Sequence, residues 1–279
     1  MLNKLRYLLW SGGLLMGLTL AKGAQAATTY PIDHIQVTTA QTYVVQAAHA
    51  QGYHITVLPH HRVKMRANLH LNRQPATVWT REEQAEITQH GKKHLYYYLK
   101  NERGQSGWVA ADQVRPTSIA LDVPVVSQLP DLPTGCEITA VDMLLQYAGA
   151  KTTKNQLADE LPRTDDPNTG FVGDPYSEVG VGLYVYPQGI LPTMRKYVST
   201  AFDFTGRSLN ELKVQLTKGH PVVVWVANVD GFASHALTVT GFNATDITYN
   251  DPWTGQREQM PTAEFERVWQ DNGRRAVSY

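Results

Sequence analysis

Cysteine is nearly absent from this chain: Cys136 stands alone among 279 residues. An internal disulfide framework is therefore excluded, as is a zinc site built on several thiolates. Net charge is missing too, with 25 basic residues against 25 acidic. That excludes a globally basic nucleic-acid binder and a polyanionic tail protein. Apolar runs are short, and none reaches the ~18 residues that read as a membrane span. Glycine (21) and proline (15) are too few for a collagen-like chain, and 42% hydrophobic residues argue against general disorder.

The balanced charge is a sum of unequal parts. Lys4 and Arg6 precede an apolar run from Leu8 to Leu20, and Ala24-Gln25-Ala26 follows with small residues at the two positions a signal peptidase reads. Residues 1–26 therefore read as a secretory signal cleaved after Ala26. The mature protein is expected outside the cytoplasm, secreted or wall-associated, with no membrane span. Residues 27–117 hold 10 Lys/Arg, 6 Asp/Glu and eight of the ten histidines; residues 118–279 hold 12 Lys/Arg and 19 Asp/Glu. This shift, with Arg115-Pro116-Thr117-Ser118 as a turn-like link, places a domain boundary near 117. The excess of positive charge on residues 27–117, which histidine protonation enlarges, points to an anionic cell-wall polymer as a partner.

In residues 27–117, His54–Leu58, Leu95–Leu99 and Gly107–Val109 carry the β-branched and aromatic residues of short strands, and Asn101–Gly104 reads as a hairpin turn. Residues 118–279 mix elements. Leu121–Val126 reads as a strand, Glu137–Ala148 follows a helical period, and a Gly/Pro-rich stretch runs from about 162 to 192. Asn210–Lys218 and Ala263–Gln270 read as helices. Val222–Ala227, Ala236–Phe242 and Ile247–Tyr249 read as central strands of an antiparallel sheet.

The chemistry centres on the cysteine. In Thr134-Gly135-Cys136-Glu137, Thr134 and Glu137 match a capping box, which reads Glu137 as a cap in preference to the alternative, a catalytic acid, and puts Cys136 in the first helical turn. A helix dipole there favours a thiolate. The alternative is a small buried hydrophobe. A cysteine nucleophile needs a base, usually histidine. His220, in Gly-His-Pro, reads as a turn residue; His235 opens a strand and is the better base. The base needs an orienting group. The turn at Asn243–Asp246 folds the next strand back, bringing Asp251 toward His235; Asn250 competes, but alternation points it to the opposite face. Donors for a developing oxyanion are the Cys136 N–H and Gln128, eight residues upstream. Asp165, Asp166 and Asp174 lack EF-hand spacing and read as solvated acids. Tyr176, Tyr184 and Tyr186 read equally as a substrate lip or as packing. No metal or cofactor is expected.

Five landmarks now carry a resemblance: VPVVSQLPDLPTGCEITAVDMLLQYAG (123–149), GFVGDPY (170–176), GHPVVVWV (219–226), SHALTVTGF (234–242) and NDPWTG (250–255). In this order they resemble the C39-like peptidases of exported Gram-positive proteins, within the papain-like cysteine peptidase group. The resemblance covers roughly 120–279. It implies an α+β domain, with the nucleophile helix packed on an antiparallel sheet and the cleft between them. It also implies Cys136 as nucleophile, His235 as base, Asp251 as orienter and Gln128 as oxyanion donor, acting on a peptide or protein amide. The papain surroundings CGSCW are absent, as are the membrane helices and ATPase of the bacteriocin exporters. Separately, YYYLKNERGQSGWVAADQV (96–114) resembles bacterial SH3-like modules, implying a small all-β barrel before the peptidase domain. Two other readings stay open: a peptidoglycan amidase or endopeptidase of the same fold, and a catalytically silent wall-binding protein.

Overall fold

Strand-forming residues dominate the first part of the chain. The computed structural model describes residues 28–74, 77–180 and 183–279; the expected export segment, residues 1–26, lies outside them. Eight strands come first: β1 (Thr29–Pro31), β2 (Gln36–Val45), β3 (Gln51–Leu58), β4 (Arg62–His70), β5 (Trp79–Gln89), β6 (Lys92–Lys100), β7 (Ser106–Ala110) and β8 (Val114–Pro116). They form one antiparallel sheet in the order β1-β4-β3-β7-β6-β5-β2-β8. Just beyond β1, Ile32 bridges to Ile87 of β5, so the sheet curls back on itself. Tyr96 and Trp108 are buried among Ile32, Val63, Ala85 and Ile87 and therefore serve as core. The turn between β6 and β7 is built by Asn101, whose Oδ1 accepts from the N–H groups of Arg103 and Gln105 (both 3.0 Å). Gly104 supplies the positive φ of 74° that the turn requires.

The ladder changes partners immediately after β8. The next strand, β9 (Ile119–Ala120), pairs with the second sheet. Then come α1 (Cys136–Tyr147), α2 (Lys154–Glu160), α3 (Pro187–Tyr197), β10 (Phe202–Asp203), α4 (Leu209–Thr217), β11 (Val222–Val226), β12 (His235–Phe242), β13 (Asp246–Asp251), β14 (Gln256–Pro261), α5 (Thr262–Asp271) and β15 (Ala276–Ser278). The sheet is antiparallel in the order β10-β15-β11-β12-β13-β14, with β9 added beside β12. Strands β11 and β12 are buried along their whole length. Their alternate residues serve two cores, as the two-residue period of a strand requires. Val223, Trp225 and Ala236 pack with Ile138, Val141, Leu144 and Leu145 of α1. Val222, Val224, Val226, Leu237 and Val239 pack with α4 and α5 residues, including Leu212, Leu216, Phe265 and Trp269. The sheet therefore carries helices on both faces. Gly241 permits the β9 contact: a Cβ there would lie 2.3 Å from the Ile119 carbonyl oxygen.

Two segments differ from the sequence expectation. Leu121–Val126 is extended but is not a strand. Pro124 offers no N–H to a ladder, and the carbonyls of Val123 and Pro124 are taken by the Asn250 side-chain amide (3.1 and 3.0 Å). The Gly/Pro-rich stretch ends earlier than expected because α3 starts at Pro187. Proline suits a first helical position, where its missing N–H is no loss.

Candidate active site

Cys136 is the first residue of α1 and is half-buried. A tight turn delivers it: the Gly135 N–H donates to Leu132 O (3.0 Å), and a Cβ on Gly135 would lie 2.7 Å from Leu132 Cβ. The expected capping box does not form. Gly135 is the N-cap and makes no side-chain cap bond. The Thr134 hydroxyl instead donates toward the carbonyls of Asp174 and Ser177 (3.2 and 3.1 Å). Glu137 turns inward and is buried; its Oε1 accepts from the Val185 N–H (3.3 Å), and its Oε2 lies 3.3 Å from Cys136 Sγ. A Ser208–Glu211 pair does make a capping box, at α4. The electrostatics differ from the dipole expectation as well. Burial pushes the Cys136 thiol well above its ordinary value, and the neighbouring Glu137 charge adds to this. Burial also pushes Glu137 up to about 7.

His235 opens β12, one strand from Asp251 at the end of β13. Register accounts for their meeting: Thr238 pairs with Asn250, so β13 runs back toward the end where β12 begins. His235 Nε2 lies 3.0 Å from Asp251 Oδ1, both side chains being essentially inaccessible. Asp251 Oδ1 also accepts from the Trp253 N–H (2.7 Å). Burial pushes the Asp251 carboxyl up, but the hydrogen bond and charge of His235 outweigh it and hold the group below its ordinary value. Phe232 stacks on the His235 ring (5.3 Å) and meets Trp253 edge-on (5.0 Å), which fixes the imidazole plane. With Nε2 committed to Asp251, Nδ1 is the ring atom left for the cleft. Asn250 lies on the other face, bonded to the 123–124 segment and to Arg257 Nε (3.0 Å). His220 packs edge-on against Tyr279 (4.6 Å) and does not line the cleft.

Gln128 is buried at the cleft wall. Its backbone N–H donates to Pro252 O (2.7 Å), so the residue after Asp251 holds it in place. Its side-chain Nε2 donates one hydrogen to Pro133 O (2.8 Å), which leaves the second hydrogen for another acceptor. Lys154 of α2 fastens this loop from behind, its ammonium donating to the carbonyls of Ser127 (2.8 Å), Gln128 (2.9 Å) and Leu129 (3.4 Å).

The same cleft, about 420 Å³, is lined by Gln128, Cys136, Glu137 and His235 together with Leu183, Tyr184 and Phe232. Of the three tyrosines weighed as a lip, Tyr184 lines it. Tyr186 lies under Arg275, and the Tyr176 hydroxyl is tied to Asp159 (2.6 Å). Asp166 and Asp174 accept from backbone N–H groups two residues on, as turn-forming acids do. Asp230 is an addition that sequence reasoning missed, because it sits in an ordinary-looking turn. Its carboxylate lies 3.7 Å from His235 Nε2, and burial followed by the neighbouring Asp251 pushes it up to about 6. Asp230, His235 and Asp251 bring one nitrogen and two carboxylate oxygens within 4.8 Å, the donor atoms a metal ion would need. The His–Asp hydrogen bond with a second acid behind it accounts for the same geometry.

A half-buried cysteine at a helix start and a histidine held by a buried aspartate thus line one cleft. The model of the Peptidase_C39 like family matches residues 120–277. The chain belongs to this family. The matched region is the unit built on β9–β15, which contains every residue of the cleft described above. "Uncharacterized protein YvpB" of Bacillus subtilis (strain 168) is 33% identical over 195 residues, 59% of this chain and 77% of that protein. A crystal structure from Bacillus anthracis, described as that of a C39-like peptidase, superposes with a TM-score of 0.55 at 30% identity, covering 58% of this chain and 96% of that one. Family and fold together point to peptidase chemistry.

Proposed function

We propose that the protein is an exported thiol hydrolase that cleaves a peptide or amide bond through an acyl-enzyme. Cys136 attacks the carbonyl carbon, and His235 Nδ1 takes the thiol proton and returns it to the leaving amine. Asp251 orients the ring and stabilises the imidazolium that forms. The Cys136 N–H and the free Gln128 amide hydrogen receive the oxyanion. Water, activated by His235, then releases the acid. The observation that carries this reading is the buried 3.0 Å His235–Asp251 bond at the wall of the cleft that holds Cys136.

In this reading residues 27–117, an SH3-like module, tether the enzyme to an anionic wall polymer. One feature favours an anion: Arg115 of the module and Lys213 of the following unit flank a depression of about 260 Å³ shared with Tyr43 and Tyr97. A wall location also keeps a peptidoglycan amide open as the substrate. The test is labelling by an epoxide probe at pH 6. Cys136 should react faster than free cysteine, and His235→Ala should abolish the advantage. Equal, slow labelling of both proteins would sink the mechanism.

A further inference from the structure

The scheme above leaves one buried acid unused. Glu137 is 2% exposed and lies against the reacting sulfur, with Oε2 at 3.3 Å from Sγ. Its position is fixed from the other side. Oε1 accepts from the Val185 N–H, and the Val185 carbonyl accepts from Trp225 Nε1 (2.9 Å) on β11. The titratable groups that face it are Cys136 on α1 and His235 on β12; the Val185 segment and β11 contribute a peptide and an indole, without charge. One geometry therefore serves two protonation states. Uncharged, Glu137 donates O–H to sulfur. Ionised, it accepts S–H from sulfur.

We propose that Glu137 is a further catalytic residue, supporting a thiolate at Cys136 when uncharged and holding the sulfur as a thiol when ionised. The inference rests on Cys136 being the nucleophile. In the competent state the S–H bond breaks as the new bond to sulfur forms, the proton passes to His235 Nδ1, and Glu137 keeps its own. Loss of the Glu137 proton puts a negative charge beside the sulfur, where a second one is strongly disfavoured in a poorly solvated site. Burial sets the Glu137 midpoint at about 7, and its charge is the main cause, after burial, that raises the thiol. The site should therefore work below neutrality and fall silent above it.

Glu137→Gln tests this, because glutamine keeps both contacts: its oxygen accepts from Val185, and its amide donates to sulfur at every pH. The readout is the iodoacetamide alkylation rate of Cys136 from pH 5 to 8.5. In the unaltered protein the rate should fall about tenfold per pH unit above a midpoint near 7, as a single ionisation requires. The Gln variant should keep its pH 6 rate to pH 8. Fast labelling with superimposable profiles would overturn this inference alone. Labelling no faster than free cysteine in either protein at any pH would overturn the nucleophile reading and this inference with it. A second measurement needs no variant. The chain has one thiol, so its infrared S–H band should strengthen and move to lower frequency as pH rises through 7, when the thiol begins donating to a carboxylate. A band that stays unchanged also overturns the inference.

Discussion

Lys154→Met removes a charge without removing bulk, and its consequences separate the parts of the site. The Lys154 side chain is 12% exposed, and its ammonium holds three carbonyls of residues 127–129, plus the half-exposed Asp131 at 3.1 Å. Hydrogen bonds to a charged group contribute about 1.5–3 kcal/mol each in mutational series. They are not additive here, since the loop can relax toward water, and the exposed Asp131 pair adds little. A loss of roughly 2–4 kcal/mol follows, or a melting shift of about 5–15 °C for a unit of this size. The loop that relaxes carries Gln128. Acylation by a nitrophenyl ester, which develops an oxyanion, should slow by about 10²-fold, near the lower end of what losing one oxyanion donor costs. Iodoacetamide alkylation develops no oxyanion and should stay within about twofold. Equal slowing of both reactions, or of neither, would refute the role given to this loop.

Asp251→Asn should leave the fold in place, since the Asn oxygen can still accept from the Trp253 N–H. It removes the charge facing the imidazolium, a loss of about 1.5–3 kcal/mol and hence roughly 10- to 150-fold in Cys136 alkylation at pH 6; a change within twofold would contradict it. Stability should depend on pH in an unusual direction. Burial holds Glu137 at about 7 and Asp142 at about 6, so both bind a proton more tightly folded than unfolded. Stability is then fully present below pH ~4 for these groups and is lost as pH rises through 6 and 7. Asp251, held low, acts in the opposite sense only at lower pH. Melting should be higher at pH 5 than at pH 7.5, and Glu137→Gln should shrink the difference; calorimetry showing higher stability at pH 7.5 would contradict the assignment.

Strand and helix periodicity made the central strands β11, β12 and β13 and three helices of this unit legible: Glu137–Ala148, Asn210–Lys218 and Ala263–Gln270 lie within a residue or two of α1, α4 and α5, whereas the short or peripheral strands β9, β10, β14 and β15 carry no such pattern. The order of strand, turn and strand in the sequence is also enough to bring Asp251 to His235. Two helices, α2 and α3, were not legible. The α2 helix has seven residues, and α3 begins with one proline and contains another, so local composition speaks for loop. The Thr134–Glu137 spacing was misleading because it fits a cap, whereas tertiary contacts claim both side chains: Thr134 bonds to the 174–177 segment and Glu137 is drawn inward by Val185. Lys154 acts at the site through carbonyls some 25 residues upstream, and Asp230 and Phe232 act through the turn just before His235; no periodic pattern marks any of the three.

The central claim is that Cys136 carries out hydrolysis, and direct observation of cleavage tests it best. The purified protein should be incubated near pH 6 with a peptide library and with cell-wall fragments, and the products read by mass spectrometry. New amine and carboxyl ends should form with the native protein and be absent with Cys136→Ala. Cleavage that persists in Cys136→Ala, or its absence from both substrate classes while Cys136 alkylates rapidly, would contradict the account.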